Sequence, residues 1–304
     1  MDKEFSSQVK QIIKGMMKKI MNKHHQRSRL SSFVFLQLGM AIFLFVLILS
    51  SCFEPREGCL DIAAVNFNAS ADKDCCCRYP SLVLSVEQMY DTLLFRQDSV
   101  YVGTNGELFR IKKILFYLSD FQLIKAGELY QVSDTVHLQS YGSTLQDTIE
   151  ETFRDDVLLV RRTPVDYTVG SLREDGYFET FKCRLGLSED LGKVIPDLAP
   201  DSHPLSIQSE DLYQNQYAFM EVIVVRDTSV STSADTLRFD RSDIGDFYIE
   251  GNGSYLHNTG YDFSMTLNAD WSKLFDGINW STHDINAWKS TIVANLPSVF
   301  TVSQ

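Results

Sequence analysis

Past its first thirty-one residues the chain is poor in positive charge. Of 28 Lys and Arg, eight stand at Lys3, Lys10, Lys14, Lys18, Lys19, Lys23, Arg27 and Arg29, beside only two of the 40 acidic residues, Asp2 and Glu4. The remainder holds 20 basic and 38 acidic residues, a net charge near −18. Such a surface repels phosphate backbones, which argues against nucleic acid as a partner. Histidine is scarce too: beyond the basic region only His137, His203, His257 and His283 remain. That limits the imidazoles any metal site can draw on. The marks of common enzymes are also missing. There is no G-x-S-x-G, G-x-x-x-x-G-K-(S/T), H-E-x-x-H or G-x-G-x-x-G, and Gly251-Asn252-Gly253 is only a fragment of the last. Adjacent acids such as Asp155-Asp156 and Glu150-Glu151 read as a solvated face, not as glycosidase carboxylates. The chain is expected not to be an enzyme.

What the sequence does have begins with an apolar run from Phe33 to Leu49, ending at Leu49-Ser50-Ser51-Cys52. A basic region, an apolar run and a small-small-Cys ending match a bacterial lipoprotein signal, with cleavage before Cys52 and acylation of that residue. A permanent transmembrane helix is the competing reading, because the run is only slightly shorter than the roughly 20 residues that span a bilayer. Translation from Met21 instead of Met1 keeps Lys23, Arg27 and Arg29 ahead of the run. Phe53 is not the Asp that retains lipoproteins in the inner membrane, so an outer-membrane lipoprotein is expected, facing the periplasm or the cell surface. The chain thus divides into a signal peptide (1–51), a tether with a cysteine-rich module (52–80) and a folded domain (81–304).

Four cysteines, Cys59, Cys75, Cys76 and Cys77, crowd into nineteen residues. In an exported chain they are disulfide candidates with three pairings open. Zinc is the rival, but no His lies between Cys59 and Cys77, and three consecutive cysteines do not easily wrap one tetrahedral ion. Asp61, Asn66, Asn68, Asp72 and Asp74 fit no EF-hand spacing and read as turn formers. Cys183, inside FETFKCRL, reads as a buried core thiol.

From Ser81 onward, short segments rich in Val, Phe, Tyr and Thr alternate with Gly, Asn, Asp and Pro: LVLSV, SVYVG, TVHLQS, DVLLVRR, FETFKCRLGL, YAFMEVIVV, DTLRF, DFYIE and YDFSMTLNAD. They predict an all-β fold, a single β-sandwich of about nine strands. ILFYLSDFQLI, Ile114 to Ile124, is too short for a membrane and has no helical stripe. It predicts two core strands folded about a solvent-facing Ser119-Asp120 corner. Near the end, Asp284 is placed to cap a helix with Ile285, Trp288, Ile292, Val293 and Leu296 on one face and Pro297 as its stop.

GELFRIKKILFYLSDFQLI (Gly106 to Ile124) resembles the signature of the MbnP-like β-sandwich proteins. CRLGL (Cys183 to Leu187), Pro196, HPL (His203 to Leu205), Leu212-Tyr213, YAFMEV (Tyr217 to Val222), TLNADWSKLFDGIN and the terminal NLPSVF follow that family's order. The cysteine module is similar to a short GC-x-D…C-x-Y unit of exported Bacteroidetes-type proteins. The family resemblance implies copper binding, or copper delivery to a partner such as a dihaem cytochrome peroxidase-like protein. In this chain Gln214 stands where the family often has Trp, and the segment LVLSVEQMYDTLLF has no His. His203 and His257 are then the candidate metal pair. The alternative is a module that binds a protein or glycan, or that serves as an envelope spacer.

Overall fold

A computed structural model describes residues 14–19, 40, 54–142, 147–207, 212–214, 216–226 and 233–304. Cys52 lies outside the described residues, as does the 33–49 run except for Met40. Among the described residues no helix is long and apolar enough to cross a membrane.

The cysteine-rich module closes with a two-residue parallel pair, β1 (Glu57–Gly58) and β2 (Lys73–Asp74). The main body then runs through β3 (Ser81–Tyr90), β4 (Leu93–Leu94), β5 (Val100–Val102), β6 (Leu108–Lys125) and β7 (Glu128–Gln131). A hairpin follows, β8 (Asp134–Tyr141) and β9 (Thr148–Asp155), then β10 (Leu158–Val160), β11 (Asp166–Ser171) and β12 (Gly176–Leu185). The second half supplies β13 (Met220–Arg226), β14 (Asp235–Phe239), β15 (Tyr248–His257), β16 (Phe263–Asp270) and β17 (Phe300–Ser303). One sheet has the order β14-β13-β6-β12-β15, with β5, β7 and β10 also on β6; the other has β11-β3-β16-β17 with β4 on β3. Their facing sides bury one apolar core, with Leu82, Leu84, Phe109, Phe116, Phe181, Val222 and Leu267 all inaccessible. This is an all-β sandwich with a C-terminal helix.

The run within Ile114–Ile124 is not two strands. β6 is one 18-residue strand. Its first third alternates buried and accessible positions, while Ile114 to Phe121 are buried without a break, as expected for the middle of a sheet covered on both faces. The chain bends at Asp120, which has φ 54°, and there the register against β12 slips between Ser119↔Arg184 and Gln122↔Lys182. Such a bulge redirects side chains without ending the strand. It turns Ser119 and Asp120 inward instead of toward water: both are buried, and Ser119 donates to the Gly186 carbonyl at 2.8 Å.

The terminal helix, Ile285–Val299, is capped by Asp284, whose carboxylate accepts from Ala287 N at 3.0 Å. Trp288, Ile292 and Leu296 are its buried stripe. Pro297 does not stop it. The helix continues to Val299 and passes straight into β17, which pairs with β16 and completes the second sheet.

Candidate functional site

Four segments far apart in sequence meet at the bend of β6. Tyr117 donates its hydroxyl to the Pro204 carbonyl at 3.1 Å, and Tyr217 donates to the Leu205 carbonyl at 2.8 Å. The two rings stand edge-on, 6.0 Å between centroids. Gly186 has φ +107°, and a Cβ there would lie 2.1 Å from the Phe219 ring. Only glycine tolerates both the angle and the ring. The YLSD, CRLGL, HPL and YAFMEV segments thus build one corner of the sandwich.

His203 sits in this corner, 8% exposed, its Nδ1 accepting from Leu205 N at 3.2 Å and its Nε2 3.5 Å from Asp155 Oδ1. Next to it lies a charged network. Asp120 accepts from the Tyr248 hydroxyl at 2.5 Å and from Gln131 at 2.7 Å, and Arg154 lies 3.3 Å away. Burial pushes Asp120 upward, but the hydrogen bonds from Tyr248, Gln122 and Gln131 and the Arg154 charge outweigh it and hold the carboxyl below its ordinary value. Arg184 bonds the Tyr248 hydroxyl at 2.6 Å and pairs with Asp246.

Asp156 is the exception in this network. The acidic pair Asp155-Asp156 is not a solvated face, because Asp156 is 1% exposed. Its Oδ2 accepts no hydrogen bond, and Arg154 Nε stands off at 3.9 Å. Burial raises this carboxyl to about 6, only partly offset by Arg154 and a hydrogen bond from the Asp120 backbone, with the charges of Asp120 and Asp155 adding to the rise. Asp156 forms part of the wall of a recess of about 690 Å³, walled as well by Tyr141, Phe153 and Arg154 of the β8–β9 hairpin and by Leu191. No local pattern marks this recess: β9 is a polar, mostly exposed strand, and Asp156 just after it is buried against the Asp120 bend of β6.

The two candidate metal histidines are not brought together. His257 pairs with Gly176 at the start of β12, whereas the His203 loop is bonded to Tyr117, whose neighbour Leu118 pairs with Leu185 at the end of β12. Those anchors are separated by roughly 30 Å of strand, at about 3.3 Å per residue. His257 is moreover buried between two carbonyls, Nδ1 at 2.5 Å from Glu174 O and Nε2 at 2.8 Å from Tyr261 O. A carbonyl only accepts, so a ring nitrogen that keeps its contact donates and offers no lone pair to a metal. His137 lies near the Thr152 hydroxyl on the exposed hairpin, and His283 contacts Asp235 at 3.0 Å. Trp271, Trp280 and Trp288 are buried in the core.

The cysteine module carries a second group of ligand atoms. Cys59 and Cys77 form a disulfide with Cα atoms 4.8 Å apart, and neighbouring Cys75 and Cys76 are bonded to each other. The sulfurs of Cys59 and Cys77 and a carboxylate oxygen of Asp74 lie within 4.8 Å of one another. The Asx residues act as turn formers: Asp61 accepts from Ala63 N and from the Tyr79 hydroxyl, both at 2.9 Å, and Asn66 accepts from Arg78 N at 2.8 Å. Arg173 stacks over the Tyr79 ring at 3.7 Å and so ties the module to the sandwich. Cys183 is a free thiol in the core, and burial pushes its pKa upward, which keeps it unreactive.

Fold and sites together define a β-sandwich carrying a cysteine-stapled module. No family model matches the chain, and no curated protein matches it. Among solved structures the chain is similar to MbnP from Methylosinus trichosporium, with 11% identity, 74% of this chain and 98% of that one covered, and a TM-score of 0.41.

Proposed function

We propose that this chain is a lipid-anchored binding protein of the cell envelope that carries copper at the Cys59–Asp74–Cys77 corner. The observation that carries the reading is the convergence of two sulfurs and one carboxylate within 4.8 Å. In the disulfide state the sulfurs are bonded to each other, and the site is closed. A small dithiol opens it by exchange: the Cys59–Cys77 bond breaks, both sulfurs leave as thiols, and the reductant becomes the disulfide. Two thiolates then bind Cu(I) as two protons leave, a soft-ligand match to a soft ion. The cargo would pass to a haem partner of the dihaem cytochrome peroxidase type. The anchor is Cys52, with the domain held at the outer membrane.

The test is copper competition on the full chain in detergent, after dithiol reduction, against a chromogenic Cu(I) chelator. One copper per chain should leave the chelator, and Cys59→Ser with Cys77→Ser should return it. His203→Ala and His257→Ala should bind as the parent does. If the reduced parent cannot compete, or the double serine variant competes equally, the copper reading fails. Radiolabelled palmitate incorporation that survives Cys52→Ser would remove the anchor.

A further inference from the structure

The corner recess has a separate use. We propose that it binds a small zwitterion of the α-amino-acid class, with the ligand ammonium on Asp156 and its carboxylate on Arg154. Two groups of opposite charge stand side by side there, and both have unspent capacity. Asp156 Oδ2 takes no hydrogen bond although the residue is 1% exposed. A buried acceptor left in that state is costly, and an incoming N–H donor removes the cost. Arg154 is half-exposed; one terminal nitrogen pairs with Asp120 at 3.3 Å and Nε faces Asp156 at 3.9 Å, which leaves the other terminal nitrogen to pair a carboxylate. Asp120 is itself held by Tyr248 and Gln131, so Arg154 is positioned before any ligand arrives. Tyr141, Phe153 and Leu191 supply an apolar wall for a side group. The volume, about 690 Å³, falls within the roughly 300–1,000 Å³ of small-molecule sites.

The proposal also fixes a pH dependence. An ammonium needs the ionised carboxylate, and burial raises Asp156 to about 6 against the pull of Arg154, with Asp120 and Asp155 beside it and Glu151, Asp190 and Lys193 across the recess. His203 faces Asp155 from the neighbouring loop. Binding should be about tenfold weaker at pH 5 than at pH 7.

The experiment is calorimetric titration of the full chain in detergent with each of the twenty standard amino acids, followed by leucinamide and 4-methylpentanoate. At least one apolar amino acid should bind, while the amide, lacking the carboxylate, and the acid, lacking the ammonium, should bind at least tenfold more weakly. Asp156→Asn, which removes the charge and keeps the shape, should weaken binding at least tenfold and abolish the pH dependence. The Cys59→Ser, Cys77→Ser variant should bind like the parent, so failure of the copper reading is distinguishable from failure of this one. No binding across the panel, equal binding of the two analogues, or an Asp156→Asn variant that binds unchanged would each overturn the proposal.

Discussion

The Tyr248 hydroxyl donates to Asp120 Oδ2 at 2.5 Å, reaching from β15 to β6 across the intervening strand β12. Three neighbouring strands are thereby linked through side chains at the point where β6 bends. Because Asp120 is held below its ordinary value, its charge contributes stability that is present above the unfolded value of 3.8 and lost as pH falls through the folded one. Tyr248→Phe should cost about 1–2 kcal/mol at pH 7. Urea titration should show the gap between variant and parent narrowing as the pH is lowered below the unfolded value of 3.8 and through the folded one. A gap that widens there would contradict the assignment.

Asp156 has the opposite sign. Its folded value, about 6, lies above the unfolded 3.8, so the folded chain holds the extra proton between those limits and loses stability as pH rises through them. Asp156→Asn should therefore stabilise the protein at pH 7.5 by roughly 1–3 kcal/mol and raise Tm by a few degrees, with little effect at pH 4. Calorimetric scans at the two pH values check it.

At Gly186 a methyl group meets both a positive φ and the Phe219 ring, 2.1 Å from where the Cβ would sit. Gly186→Ala should destabilise by more than about 2 kcal/mol, lower Tm and loosen the Tyr117–Tyr217 corner. Near-ultraviolet circular dichroism reports the tyrosines. Unchanged spectra and Tm would show that Phe219 moves aside freely.

The Cys59–Cys77 bridge closes a loop with a sequence separation of 18, worth about 3 kcal/mol by loop-closure entropy. The module has few buried side chains of its own, chiefly Cys59 and Ala64. Reduction, or Cys59→Ser with Cys77→Ser, should release the amides of 57–79 to rapid hydrogen exchange while those of β6 and β12 stay protected. Loss of protection in β6 would mean that the module supports the sandwich as well.

Much of the architecture was legible in short patterns. Alternation in FETFKCRL and the apolar continuity of YAFMEVIVV announced β12 and β13, and Asp284 announced a helix start. Strands with a polar exposed face, β9 above all, were missed, because their stability comes from pairing with β8 and not from burying their own side chains. The Pro297 stop failed because this proline lies in the last turn of a helix already fixed by Trp288, Ile292 and Leu296.

The sequence by itself determined that the protein is β-rich, acidic after its basic first thirty-one residues, and clustered in cysteine between Cys59 and Cys77, since these follow from residue type and local spacing. Only the tertiary structure decided which polar groups lose their water. The bend at Asp120 carries one carboxylate into a ring of donors and leaves Asp156, which follows β9 in the chain yet lies beside Asp120 in space, buried with one oxygen that accepts no hydrogen bond. It set His257 beside the start of β12 and the His203 loop, through Tyr117, near that strand's other end. Burial and distance are properties of strand pairing across long separations, and no local pattern encodes them.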